Sequence, residues 1–187
     1  ASVALVSGSS GTVSSISSNN SFLEVYGRFD TRYTTPRTTA FISQPYGSAE
    51  FDLFHFETIT DGAYANDKFK ISISSLRAST DPNNEYGTFE VQVRKFGDND
   101  LQTEILERFP SLSLDPNNER YIARVIGDYK VNFNFDDVDD DERRLTLSGK
   151  YPNKSSFIRV VMSDDMLRKE VPDAALPFGF RGIPALH

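Results

Sequence analysis

The chain has 187 residues, 38% of them hydrophobic, with fifteen Phe, eight Tyr, two Met, no Trp and no Cys. That suffices for one domain, or one domain and a small satellite, around an aromatic and β-branched core, and it excludes disulfides, thiolate metal sites and cysteine nucleophiles. A formal charge of −7 with scattered Lys and Arg argues against a nucleic-acid partner, and no stretch approaches the ~18 apolar residues of a membrane span.

The start, Ala1-Ser-Val-Ala-Leu-Val-Ser-Gly8, lacks the basic and long apolar regions of a signal peptide. The missing initiator Met and the ending Gly-Ile-Pro-Ala-Leu-His187 point to an excised piece of a longer protein. Residues 1–20 are rich in Ser and Gly and read as a flexible lead-in, with a short edge strand at Thr12–Ile16 as the alternative. From residue 21 to 165 the pattern is that of a β-rich domain. Phe22, Val25, Tyr26 and Phe29, then Phe41 and Ile42, then Phe51–Phe56 are strand-like, broken by loops at Thr34–Thr39 and Gln44–Ser48.

A turn region at Asp61–Asp67 leads to a strand with Phe69, Ile71 and Ile73 inward. Asp81-Pro-Asn-Asn-Glu85 predicts a tight turn, because Asp at the first position and Pro at the second pre-set type I geometry. The next strand alternates cleanly, with Phe89, Val91 and Val93 on one face and Thr88, Glu90, Gln92 and Arg94 on the other. The two strands need not be nearest neighbours. Residues 101–109 fit either a helical stripe (Leu101, Ile105, Phe109) or a strand (Ile105, Glu107, Phe109), and the strand is preferred.

Asp115-Pro-Asn-Asn-Glu119 repeats the earlier pentapeptide, but Tyr121, Ile122, Val125 and Ile126 follow at helical spacing. With Asp115 as cap, Pro116 in the first turn and Gly127 after the end, a helix over 116–126 is predicted. Tyr129–Phe135, with Val131, Phe133 and Phe135 on one face, and Arg144–Tyr151 suggest a hairpin across an acidic loop. Phe157–Met162 is almost wholly apolar and reads as a central strand. Residues 166–187 read as an irregular C-terminal arm packing through its aromatic side chains. The fold class expected is α+β and strand-dominated: an antiparallel or mixed sheet or barrel with one or two short packed helices.

No pattern for catalysis emerges. Asp137, Asp139 and Asp141 have the first-third-fifth spacing of a calcium loop, yet Glu142 stands where Gly is needed and Ser148 where a bidentate Glu belongs, so the run Asp136–Glu142 reads as a solvated loop. The histidines are His55 and His187; His55, between Phe54 and Phe56, reads as a packing or edge residue. Neither a Gly-x-Ser-x-Gly elbow nor a phosphate loop occurs. Asn19-Asn-Ser21 and Asn153-Lys-Ser155 are formal glycosylation sequons. Tyr26, Tyr33, Tyr46 and Tyr64 suggest an aromatic binding face, against the plainer reading that they cover the sheet. Catalytic, cofactor and metal residues are all expected to be none, and the chain is expected not to be an enzyme.

Several phrases in collinear order carry a resemblance. They are Phe51-Asp-Leu-Phe-His-Phe-Glu57, Asp61–Ile73, Tyr86-Gly-Thr-Phe-Glu-Val-Gln-Val-Arg94, Ile105–Phe109, Leu112-Ser-Leu-Asp-Pro116, Arg120-Tyr-Ile-Ala-Arg124, Ile126-Gly-Asp128, Tyr151-Pro-Asn153, Phe157–Val160 and Leu176-Pro-Phe-Gly-Phe-Arg-Gly182. Together they resemble the contractile tail sheath proteins of bacteriophages over about two-thirds of the chain. The resemblance implies a structural virion subunit that stacks with its own copies in six-membered rings around the tail tube protein and contracts to drive genome delivery. It implies no cofactor, nucleic acid or membrane, and a place in the virion tail after assembly in the host cytoplasm. The family's strand-exchanging terminal arms are not recognisable, so the chain reads as an outer portion of the subunit, one that can be monomeric alone. Charged segments such as Asp136–Arg144 and Arg168-Lys-Glu170 are candidates for contacts between subunits. A β-rich carbohydrate- or receptor-binding module is the competing reading.

Overall fold

A computed structural model describes residues 35–60, 62–133 and 145–182. All of these but Phe133 fall in one compact unit, Thr35–Asn132 with Leu145–His187. The strands expected over 21–34, Tyr26, Tyr33, Phe135 and the acidic run Asp136–Glu142 lie outside the described residues.

The order is β1 (Phe41–Ser43), β2 (Asp52–Thr58), a 3-10 turn (Ala63–Asp67), β3 (Phe69–Arg77), β4 (Thr88–Lys95), β5 (Ile105–Leu112), α1 (Ile122–Ile126), β6 (Lys130–Phe133), β7 (Leu145–Ser148), β8 (Ile158–Met162), α2 (Asp164–Leu167) and β9 (Pro177–Phe180). These strands form a four-stranded sheet in the order β8-β2-β1-β9, a three-stranded sheet β3-β4-β5 and a two-stranded ribbon β6-β7. Pairing within the two larger sheets is antiparallel, and none of the three closes into a barrel. The expected strand-dominated α+β class is the observed one, in its open-sheet form.

The two larger sheets share a single core. β2 turns Phe54 and Phe56 inward and β4 turns Phe89, Val91 and Val93 inward, as the alternation of each strand requires. Phe54 stacks on Phe89 across the sheets at 6.0 Å between ring centres, while Phe41 and Phe56 pack on it from its own sheet at 5.4 Å. Ile122, Ala123 and Ile126 of α1 are buried, and α1 packs against both β5 and β8.

Several sequence expectations are corrected. β8 is an edge strand, not a central one. Its apolar character comes from α1, which packs against it, while the Gly127 carbonyl accepts from the Val160 amide at 2.9 Å. Whether β3 and β4 are neighbours, left open by the sequence, is resolved by their direct pairing, with Ile71 opposite Val93 and Ile73 opposite Val91. The helix begins at Ile122, not Pro116. Asn118 takes the Arg120 amide at 2.8 Å, and Ser113 brackets an extended Tyr121 through bonds to the Arg120 carbonyl and the Ile122 amide, each 3.0 Å. Local side-chain bonds of Asx residues thus outcompete the first helical turn. The C-terminal segment contains an ordered strand, β9, paired with β1, and its Phe178 and Phe180 point outward instead of packing.

The polar face of β4 is tightly paired. Glu90 is 3% exposed and accepts from Nε and Nη2 of Arg108, each at 2.9 Å. At the far end, the fully enclosed Asp98 carboxylate accepts from Arg94 at 2.7 and 2.9 Å, from the Glu104 amide at 2.9 Å and from Lys70 at 2.8 Å. Arg94, above all, holds the Asp98 carboxyl well below the usual carboxylate range. A depressed folded-state value means stability that is present above the unfolded value near pH ~4 and lost as pH falls below it. Asp98→Asn is therefore expected to unfold more easily at neutral pH and to show a flatter loss of stability below about pH 4. Urea titrations at several pH values test this, and parallel pH profiles for the two proteins would refute it.

Candidate functional site

The repeated pentapeptide makes the same turn twice. Asp81 and Asp115 each accept from the amide two residues on, Asn83 and Asn117, at 2.9 Å. The Asn84 and Asn118 amides close onto the Asp carbonyls at 3.3 and 3.1 Å, and their side chains accept from the Tyr86 and Arg120 amides at 3.0 and 2.8 Å. The first turn leads into the start of β4 and the second follows the end of β5. Because β4 and β5 are antiparallel, with Phe89 opposite Leu112, those two ends lie side by side.

The two turns accordingly meet. With Asp173 they line an open polar cavity of about 440 Å³, bordered by Asn83, Asn84, Glu85, Tyr86, Asp115 and Asn117. Burial and a hydrogen bond to Asp173 push the Tyr86 phenol up. The lining is suited to accept from hydroxyl or ammonium groups. It differs from the mostly apolar lining of small-molecule pockets. Among the described residues no group of three or more His, Asp or Glu side chains is arranged to hold a metal ion. Sequence reasoning noted the repeat but not its convergence; the register of β4 against β5 is what brings it about.

The remaining sequence candidates scatter. His55 is half-buried in β2, and its Nε2 is enclosed without a hydrogen-bond partner, 3.8 Å from Glu57 Oε1. The Asn153 sequon is occupied structurally: Oδ1 accepts from the Tyr129 amide at 3.0 Å and Nδ2 donates to its carbonyl at 2.9 Å. Tyr46 packs on Phe51, and the exposed Tyr64 lies under the Lys68 ammonium, so each has its own local partner. Arg168 is exposed and pairs with Asp165 at 2.9 Å and Glu170 at 3.5 Å.

A surface that sequence reasoning missed is the outer strand β9. It ends the four-stranded sheet, and Phe178 and Phe180 are 71% and 68% exposed, two residues apart on one face. Gly179 between them lies against Ile42. The segment's mix of Pro, Gly and Phe concealed the strand, since only pairing with β1 orders it. Among the described residues no helix is long and apolar enough to cross a membrane. No protein-family model, curated protein or solved structure matches this chain.

Proposed function

We propose that the chain is a mechanical building block, part of the subunit of a contractile tail sheath that polymerises around a tail tube and contracts to drive genome delivery from the virion. The observation that carries this reading is β9. The two exposed Phe side chains of this outer strand offer an apolar surface against which another chain can pack. It is formed by the Leu176–Gly182 phrase, one of those that resemble sheath proteins. The rest of the unit suits a rigid body: two sheets fused through one aromatic core, with exposed ion pairs such as Arg181–Asp52 and Arg168–Asp165 at its surface that are cheap to break and remake. In this reading the work is non-enzymatic, needs no cofactor, and the partners are copies of the same subunit and the tail tube protein.

The direct assay is electron microscopy of the parent protein for long hollow tubes. Phe178→Asp with Phe180→Asp is expected to reduce tube formation while leaving the melting temperature of the chain nearly unchanged, because exposed substitutions usually stay within about ±0.5 kcal/mol. A parent protein that never polymerises, or tubes unaffected by both changes, removes the proposal's support.

The polar cavity between the two Asx turns favours a second reading, a carbohydrate- or receptor-binding module. Glycan-array binding by the isolated chain that is lost in Asn117→Ala would favour it.

A further inference from the structure

His55 and Glu57 stand two residues apart on the same face of β2, and Arg159 of β8 lies directly opposite Glu57. The two Glu57 oxygens are used unequally. Oε2 accepts from Arg159 at 2.7 and 3.1 Å and from Lys130 of β6 at 3.2 Å. Oε1 faces His55 Nε2 across 3.8 Å, too far for a hydrogen bond, and that nitrogen is sealed from solvent with no other partner. The contact from Lys130 to Glu57 ties the β6–β7 ribbon to the four-stranded sheet.

We propose that His55 is an acid-sensitive latch: its side chain is 25% exposed, and on taking up a proton at that exposed edge of the ring it engages Glu57 through Nε2 and displaces Lys130, loosening the β6–β7 ribbon from the four-stranded sheet. Neutral imidazole offers Glu57 either a lone pair or an N–H out of reach. The imidazolium presents a charged N–H, and a shift of roughly 1 Å closes the gap to a charge-assisted bond of about 2.7–2.9 Å. One carboxylate then serves three cations. Arg159 makes two bonds and its side chain is 7% exposed, whereas Lys130 makes one longer bond and is 37% exposed. Lys130 is therefore the cation that water can take over at least cost.

The charged groups around His55 are Glu57 on its own strand, Lys130 on β6 and Arg37 in the segment before β1. Burial lowers the His55 value; Glu57 opposes this, and Arg37 and Lys130 add to it. A lowered folded-state value places the transition below the ordinary histidine range near ~6.5, and stability falls as pH drops through that window. Removal of Lys130 and protonation of His55 are reciprocal, so each must favour the other.

The chain contains only two histidines, which makes the imidazole signals easy to separate by NMR. Lys130→Met is expected to raise the His55 midpoint. Backbone protection factors in β6 and β7 should fall about two- to fivefold between about pH 7.5 and pH 5, the scale of one half-exposed ion pair. His55→Gln, which keeps the position uncharged, should abolish that fall while the chain stays folded. A His55 midpoint indifferent to Lys130→Met, or ribbon protection that drops equally in His55→Gln, overturns the proposal.

Discussion

Phe54→Ala is expected to destabilise the chain by about 3–5 kcal/mol, the range for deleting a buried phenyl ring where the surroundings collapse only partly. Phe54 is 1% exposed and touches three other rings: Phe41 and Phe56 in its own sheet and Phe89 in the facing one. The last contact joins the two larger sheets, so the cavity would open at their shared face, where neither sheet can move in without disturbing its own ladder. Against a typical total of 5–15 kcal/mol, such a loss leaves a marginal fold. Urea unfolding reads it as a large drop in midpoint. Phe178→Ala, at a site 71% exposed, is the matched control and should barely move. A Phe54→Ala loss below about 1 kcal/mol would mean that the sheets are not held together through this ring.

The second large effect is expected at Gly127, immediately after α1. Its φ of 111° and ψ of 153° lie in a region that is essentially glycine-only, costing other residues about 1–3 kcal/mol. An added Cβ would also sit 2.3 Å from Asn153 Cα and 2.8 Å from the Asn153 amide nitrogen. That backbone cannot easily retreat. It is tied by the Asp128 amide to the Tyr151 carbonyl at 3.1 Å, by the Lys154 amide to the Ile126 carbonyl at 2.8 Å, and by both ends of the Asn153 carboxamide to Tyr129. Overpacking adds about 1–3 kcal/mol, so Gly127→Ala should lose about 2–6 kcal/mol in total. At roughly 2–4 °C per kcal/mol for a chain of this size, the melting temperature falls by about 4–24 °C. Gly97→Ala, with open space around it, should leave the melting temperature unchanged. Equal melting temperatures for the two variants would show that the α1 exit relaxes without strain.

The elements legible in sequence were those whose signal is local. Alternation marked β3 and β4 with the correct inward faces, because a strand that gives one face to an apolar core repeats every second residue. Asp-Pro-Asn-Asn predicted the turn at 81–84 because Asx and Pro chemistry acts within four residues. The same chemistry caused the error at 115–121, where helical spacing was read through a stretch that the Asx residues hold as a turn. β9 was invisible for the opposite reason: Pro177 and Gly179 offset the strand preference of its two Phe until β1 supplies partners.

Composition and local pattern alone determined that this chain would be strand-dominated, built on Phe and branched aliphatics, and punctuated by Asx turns, since those choices depend on each residue and its near neighbours. Only the tertiary structure decided that an apolar strand would lie at a sheet edge under α1 and that two distant copies of one pentapeptide would border a single cavity. It alone also brought two distant cations, Arg159 and Lys130, onto the carboxylate beside a half-buried imidazole. Each of these depends on strand order and register, which bring together residues remote in sequence and which no short-range preference encodes.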